Sequence, residues 1–405
     1  MKTRKIGTLT EKISTWNPSK SDSREQFTYI DLGSVDQKSK NISDAELVWS
    51  NEAPSRARQL VKVGDVLVST VRPNLNGVAR VPVGMDGATA STGFCVLRPT
   101  DELDPSYLFH WVRSPLFISE MAHRASGQSY PAVSDRIVKD SLIPLPEIRE
   151  QRRIAQILDL VDVLRVKRRK AIALLEDLAQ SVFFEMFGNV VSNDRHWPPG
   201  RVADLVEKFT SGKSLAAAEE DGPDVRYRIL KVSAVTSGRF DADESKPAPT
   251  GYAPPPSHVV RDGDLLFSRA NTEALIGATA LVSNPPNNLL LPDKLWRFSW
   301  RVDRPTHPLY VRQLFLQGEF RREVSRRASG TSGSMKNISQ PKVLSIGCGI
   351  PPLELQRQYG RRVEVVEKLA NQQRAHLAEL DALFASLQHG AFRGELGSES
   401  VALLA

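Results

Sequence analysis

Hydrophobic positions recur along this chain with two different periods. Over two long stretches the period is helical. Ile154, Ile157, Val161, Leu164, Arg168, Ala171, Leu175, Leu178 and Val182 follow one another at alternating spacings of three and four. So do Tyr359, Val363, Val366, Ala370, Gln373, Leu377, Leu380, Phe384 and Leu387. This is the heptad spacing of a coiled-coil seam, and each seam carries one polar member, Arg168 and Gln373. A proline-containing stop, Ile143–Pro146 or Ile350–Pro352, precedes each stretch. Proline suits the start of a helix and not its interior. Elsewhere the apolar runs are short, as in Val66–Val71 and Leu265–Ser268, and are broken by Gly, Pro and Asn, which predicts strands within mixed segments.

A lone apolar stripe reads as ordinary helix core. Two of equal length, one after each mixed segment, predict a pair. The polar members fall at the midpoints of their seams, so an antiparallel pair with matched ends brings Arg168 and Gln373 together. Such a mid-coil polar layer fixes register at some cost in stability. Side chains more than one helical turn apart would refute that register. At about 1.5 Å per residue, roughly 40 residues give a spacer on the order of 60 Å, with one globular domain at each end.

The mixed segments are copies of one another. Gly64-Asp65-Val66-Leu67-Val68-Ser69 recurs as Gly263-Asp264-Leu265-Leu266-Phe267-Ser268, at an offset of 199, and Tyr29–Ser34 lines up with Arg228–Ser233 at the same offset. Ala125-Ser126-Gly127 recurs as Ala328-Ser329-Gly330 at 203, and Ile143–Ile148 lines up with Ile350–Leu355 at 207. Four collinear matches in one order define an internal duplication, with drift from loop insertions. The expected segments are 1–146 (globular), 147–188 (helical), 189–353 (globular), 354–395 (helical) and 396–405 (tail). The fold class is α+β.

Composition narrows the partner. The chain has 405 residues, 40% apolar and 25% charged, which suits folded domains and excludes disorder. No apolar run approaches the roughly 18 residues of a membrane span, and the residues after the basic start are too polar for a signal peptide. Two cysteines without metal-type spacing, Cys95 and Cys348, fit a reducing, cytoplasmic setting. The net charge is +7, and its location is informative. Glu147–Phe187 holds eight basic and seven acidic residues, and Glu354–Glu395 six of each, so the remaining segments carry +6. A phosphate-backbone footprint belongs on those segments.

Two motifs invite catalytic readings. Val343-Leu344-Ser345-Ile346-Gly347-Cys348-Gly349-Ile350 looks like the nucleotide loop of an S-adenosylmethionine-dependent methyltransferase, where a strand runs through a Gly-rich turn into a helix. Pro351-Pro352 follows at once, and the repeat counterpart Asp140–Pro144 has no such glycines, so the stretch is expected to be a strand leading to the helix. Ser211-Gly212-Lys213-Ser214 echoes the end of a P-loop, but Glu207 stands where that motif needs glycine, which leaves a surface loop within reach of DNA. The seven histidines form no metal-type cluster, and no nucleophile–base or paired-carboxylate arrangement stands out.

Several stretches resemble the specificity subunits of type I restriction–modification systems: Gly64–Asn74, Ile143–Pro146 followed by Glu150-Gln151, Leu178–Gly188 and Phe384–Leu396, together with the duplicated layout. The second proline stop, Pro351–Gln358, departs from the Pro-Leu-Pro and Glu-Gln pattern of the first. The resemblance implies two target-recognition domains in pseudo-twofold duplication, separated by an antiparallel pair of long coiled-coil helices. Each domain would read half of a bipartite, asymmetric site in double-stranded DNA, and the helices would set the unread gap. It implies two methyltransferase (modification) subunits and restriction-translocase subunits as partners. Those partners would hold S-adenosylmethionine, ATP and Mg, and this chain no cofactor and no catalysis of its own. The competing readings are a DNA methyltransferase using Gly347–Gly349, and a coiled-coil scaffold.

For base reading, arginine suits guanine, and asparagine or glutamine suits adenine. Loops rich in Gly and Ser hold the candidates Arg72, Asn74, Asn76, Gln128 and Tyr130 in the first copy. In the second they are Lys213, Arg269, Asn271, Thr331, Ser334, Lys336 and Asn337. The recurring Gly-Asp and Ser-Gly pairs themselves read as scaffold.

Overall fold

The computed structural model describes residues 2–21, 24–215, 226–330 and 335–396. It divides into two compact units, Met1–Ala171 with Gln373–Ala405, and Ile172–Gln372. Each unit takes in one globular segment, the first part of one long helix and the last part of the other. The long helices are Ile148–Phe187 and Leu353–Arg393. No helix among the described residues is long and apolar enough to cross a membrane.

The globular part of each unit rests on a four-stranded antiparallel sheet. In the first unit the order is Thr10–Glu11, Phe94–Pro99, Val66–Ser69, Val78–Arg80. In the second it is Val206–Ser211, Leu295–Trp300, Leu265–Ser268, Thr279–Leu281. The unbroken apolar runs at Val66 and Leu265 arise because both faces of these strands are covered. Val66 and Val68 pack with the helices Pro105–Val112 and Pro115–Arg124, while Leu67 turns to a second core with Ile30 and Ala90. Leu265 and Phe267 against Leu266 repeat the division in the second unit. That second core belongs to a second sheet, four-stranded in the first unit and three-stranded in the second, containing one parallel pair in each unit, Tyr29↔Thr89 and Arg228↔Leu289.

The recurring Gly-Asp is scaffold for a physical reason. Gly64 and Gly263 sit at φ +86 and +79, which glycine adopts without strain. The following aspartates tie the turn to the neighbouring strand. Arg98 Nη2 and Nε donate to the buried Asp65 at 2.7 and 2.9 Å, and Arg297 Nη1 donates to Asp264 at 3.1 Å. The carboxylates also accept from the amides of Lys62 and Arg261, at 2.8 and 2.9 Å.

Each long helix starts on a buried glutamine. Gln151 Oε1 accepts from Asp104 N at 2.9 Å, and its Nε2 donates to the carbonyls of Glu102 (3.0 Å) and Pro146 (2.9 Å). Gln356 Oε1 accepts from His307 N (3.1 Å) and Thr306 Oγ1 (2.7 Å), and its Nε2 donates to Pro351 O (2.9 Å). Both side chains sit on residues almost fully shielded from solvent, 1% and 2% exposed. Beside each glutamine, a short strand pair closes the unit: Thr3–Lys5 with Leu142–Pro144, and Pro199–Arg201 with Gly347–Gly349. These pairings set the equivalence at the proline stops to an offset of 205, not 207. The apparent departure of the second stop therefore disappears, since Gln356 does what Gln151 does.

The end of the other long helix completes each seat. Phe392 meets Tyr107 edge-on at 5.3 Å, and Phe187 meets Tyr310 in the same way at 5.0 Å. Such pairs contribute about 0.5–1.5 kcal/mol beyond their burial. Glycines in the left-handed region, Gly188 (φ +65) and Gly394 (φ +79), stop both helices just after these rings.

Within each unit the helices run antiparallel. In the first unit Arg168 Nη1 donates to Gln373 Oε1 at 2.7 Å, and Arg165 and Arg169 both reach Asp381. In the second, Tyr359 packs edge-on against Phe183 at 5.4 Å. The seam read from Tyr359 to Leu387 is the shielded face of its helix. The first seam needs a correction, since Leu164 (36%) and Leu178 (46%) are exposed. Arg165 and Ala179 turn inward in their place. A straight helix of 3.6 residues per turn slides about 20° per heptad from a strict 3.5 repeat, enough over this length to move the seam by one residue.

Two outcomes are expected. Gln151→Leu leaves the Asp104 amide and the Glu102 and Pro146 carbonyls without that partner, and should lower the unfolding free energy of the first unit by about 2–4 kcal/mol in urea denaturation. His110 is fully buried, its Nε2 lies 2.8 Å from Asp159, and burial lowers its pKa below the ordinary 6.5. The unfolded chain then takes up a proton that the folded unit resists, so stability should fall as pH drops below about 6.5. His110→Gln should flatten that slope in urea melts across pH.

Candidate nucleic-acid interface

The candidate loops of each unit lie beside the last residues of the central strand. In the first unit the segment Ser126–Ala132 folds back on itself, with Ser126 bridged to Ala132, and Ala132 is bridged in turn to Val71. Gly127, at φ +104, permits the turn; a Cβ there would stand 2.9 Å from the Tyr130 carbonyl oxygen. After Val71 the chain enters one 3-10 turn, Pro73–Leu75, flanked by two left-handed residues, Arg72 (φ +49) and Asn76 (φ +52). Left-handed backbone outside glycine costs on the order of 1 kcal/mol or more per residue and must be held in place. Arg72 N donates to Pro131 O at 2.7 Å. Lys40 Nζ donates to Asn76 O at 2.5 Å, and Asn76 Nδ2 to Arg113 O at 3.4 Å.

This loop presents side chains outward. Arg72, Asn74, Gln128 and Tyr130 are exposed, Tyr130 to 70%. The Arg72 guanidinium lies over the Tyr130 ring, 4.7 Å from its centre, and among the described residues no carboxylate pairs with it. Lys40 was not legible as a loop residue from sequence, because its role depends on a fold that brings it 36 positions along the chain to Asn76. Burial, with Arg113 nearby, pushes its pKa down to about 8.

The second unit builds the same frame with different occupants. Ala270–Asn271 pairs antiparallel with Lys336–Asn337, and Ser329 bridges Asn337. Gly330 again allows a close approach, with a would-be Cβ 2.6 Å from Met335 O. By these bridges Asn271 stands where Arg72 does, and Met335 (43% exposed) where Tyr130 does. The polar candidates here are more engaged. Asn271 Oδ1 accepts from Thr272 N at 2.9 Å, Lys336 Nζ lies 3.0 Å from Glu273, and Arg269 Nε donates to Asp293 O at 2.9 Å. Asn337 is half-buried in its strand pair. Thr331 and Ser334 lie outside the described residues.

The two catalytic-looking motifs take structural positions. Gly347–Gly349 is a strand paired with Pro199–Arg201, and Val343-Leu344 ends the short helix Gln340–Leu344. The expected strand is therefore confined to the glycines, which pair as strand rather than forming a Gly-rich turn; Ile350-Pro351-Pro352 then leads into the helix Leu353–Arg393. Gly212 is glycine because a Cβ would stand 1.7 Å from Leu291 O, where Gly212 N donates to Pro292 O at 3.1 Å. Lys213 beside it is exposed.

A family model described as the type I restriction modification DNA specificity domain matches residues 2–175. The chain is 26% identical over 325 residues to the type I restriction enzyme EcoKI specificity subunit of Escherichia coli K12, covering 76% of this chain and 69% of that one. A structure solved in work on complex assembly and conformational transition of the type I R-M system superposes with a TM-score of 0.55 at 26% identity, covering 98% of both chains. The type I restriction–modification S subunit of M. genitalium shares the fold at 14% identity, with a TM-score of 0.55 over 96% of both chains.

Titration of the isolated chain with S-adenosylmethionine is expected to give no saturable heat. Saturable binding would restore the methyltransferase reading of Gly347–Gly349.

Proposed function

We propose that the chain is a specificity subunit of a type I restriction–modification system and that it reads a bipartite, asymmetric site in double-stranded DNA, one half-site per unit. The observation that carries this reading is the pair of matched frames. The bridges Val71–Ala132–Ser126 and Ala270–Asn337–Ser329 are the same construction, yet the positions beside them hold the exposed Arg72 and Tyr130 in one unit and the half-buried Asn271 and exposed Met335 in the other. One scaffold with different outward side chains suits two different half-sites. Lys and Arg contacts to phosphates supply affinity that is blind to sequence, and base-edge contacts supply the information.

In this reading the chain performs no catalysis and holds no cofactor. Two modification subunits would dock on it and methylate adenine at N6 with S-adenosylmethionine, and restriction-translocase subunits, with ATP and Mg, would join them. A DNA substrate would fit a cytoplasmic location, and the buried, unpaired Cys95 and Cys348 agree with a reducing compartment. The long helices would serve as the ruler of the unread gap. The Arg168–Gln373 layer supports a fixed register for them, because a slip would bury both polar groups against apolar neighbours.

Inserting one heptad into either long helix is expected to change the gap and leave both half-sites intact, as read by mapping methylated adenines in cells that carry the modification subunits. An unchanged gap with retained methylation would contradict the ruler.

A further inference from the structure

We propose that Arg72 reads a guanine in the half-site of the first unit, through O6 and N7 in the major groove, and that Tyr130 is the platform that holds its guanidinium plane for that purpose. The inference rests on the DNA-reading function above and adds to it a residue, a base and a geometry.

Three observations on the page converge. Arg72 has its side chain exposed and is stacked at 4.7 Å on a tyrosine ring, with no carboxylate partner among the described residues. Several arginines elsewhere are paired with carboxylates: Arg98 with Asp65, Arg113 with Asp162, Arg165 with Asp381. An exposed cation without a counter-ion is the group an anionic or electron-rich partner meets first. Secondly, Tyr130 is 70% exposed, an expensive place for a ring, and the guanidinium over its face is what it supports. Stacking removes rotamers of the long side chain before any ligand arrives, so less entropy remains to be lost on binding.

Thirdly, the backbone beneath is strained and pinned. Arg72 is left-handed at φ +49 and is held there by its amide bond to Pro131 O, next to the tyrosine it stacks on. Lys40 pins the other end of the turn through Asn76 O. Strain of this kind persists only where surrounding contacts enforce it, and it gathers at functional positions. The result is a planar, two-pronged donor held over an aromatic ring on a pinned backbone. That shape matches the paired acceptors O6 and N7 of guanine, whereas a phosphate contact needs only charge. The second unit has asparagine at the equivalent position, with its carbonyl oxygen engaged by Thr272 N, so the guanine is assigned to the first half-site alone.

The test uses the full chain assembled with its modification subunits, on a randomised duplex library read out by adenine methylation. A bipartite motif with the wild-type chain establishes the underlying function; its absence would sink that function and this inference with it. Given the motif, R72K keeps the charge but loses the planar fork. It should relax one G·C position in one half-site, with about tenfold or greater loss of preference for the cognate pair and no change in the other half-site. Y130A should produce a partial form of the same relaxation, and Y130F should retain the motif. Retention of the G·C preference by R72K overturns the proposal. So does R72A weakening all sequences alike while lowering the salt dependence by about one phosphate contact, which is the signature of a backbone contact only.

Discussion

The construction of each unit depends on a buried amide. A glutamine side chain at the start of a helix, cut off from water, must find partners for both its carbonyl and its NH2 group, or the fold bears the cost of leaving them unpaired. Gln151 and Gln356 find them in the backbone of the turn that precedes the globular helices and in the proline stop itself. Those partners are directional. They fix where the long helix begins and how it leaves the globular part, which apolar packing alone would leave free to slide. The aromatic contacts of Phe392 with Tyr107 and Phe187 with Tyr310 then close the seat from the other helix.

With the seat fixed, the central strands can be apolar on both faces and the loops beyond them can vary. The Gly-Asp turn and the Ser-Gly turn hold the frame in both units by backbone geometry and buried ion pairs. None of these groups is free to address a ligand. Variation is left to the exposed positions, and there the two units differ: an arginine over a tyrosine ring with no carboxylate partner among the described residues in one, a more self-satisfied surface in the other. A duplicated scaffold of this kind can change what it reads without disturbing how it folds.

Much of this was legible in the sequence. The duplication, the strands at Val66 and Leu265, the two long helices and the facing of Arg168 and Gln373 follow from period and spacing, because burial imposes its periodicity on any chain that packs. The loop from Arg72 to Asn76 was legible as a loop, whereas Asn271, Lys336 and Asn337 lie in a short strand pair. What each candidate does was not legible: Arg72 and Lys213 are outward, while Asn271, Lys336 and Arg269 are largely occupied by neighbours.

The limits lie where the outcome depends on contacts distant in sequence. The first seam drifts from Leu164 and Leu178 to Arg165 and Ala179, because the true helical period accumulates a phase that local spacing does not reveal. Residue similarity put the proline stops at an offset of 207; the strand pairing put them at 205, since hydrogen-bond register outweighs likeness of side chains. Gly347–Gly349 resembled a nucleotide loop until Pro199–Arg201 was seen to pair with it. By itself the sequence determined the periods, the repeat and the inventory of chemistry. Tertiary structure decided which polar groups are spent on the frame and which remain for a partner, because a hydrogen bond is made with whatever folding brings near.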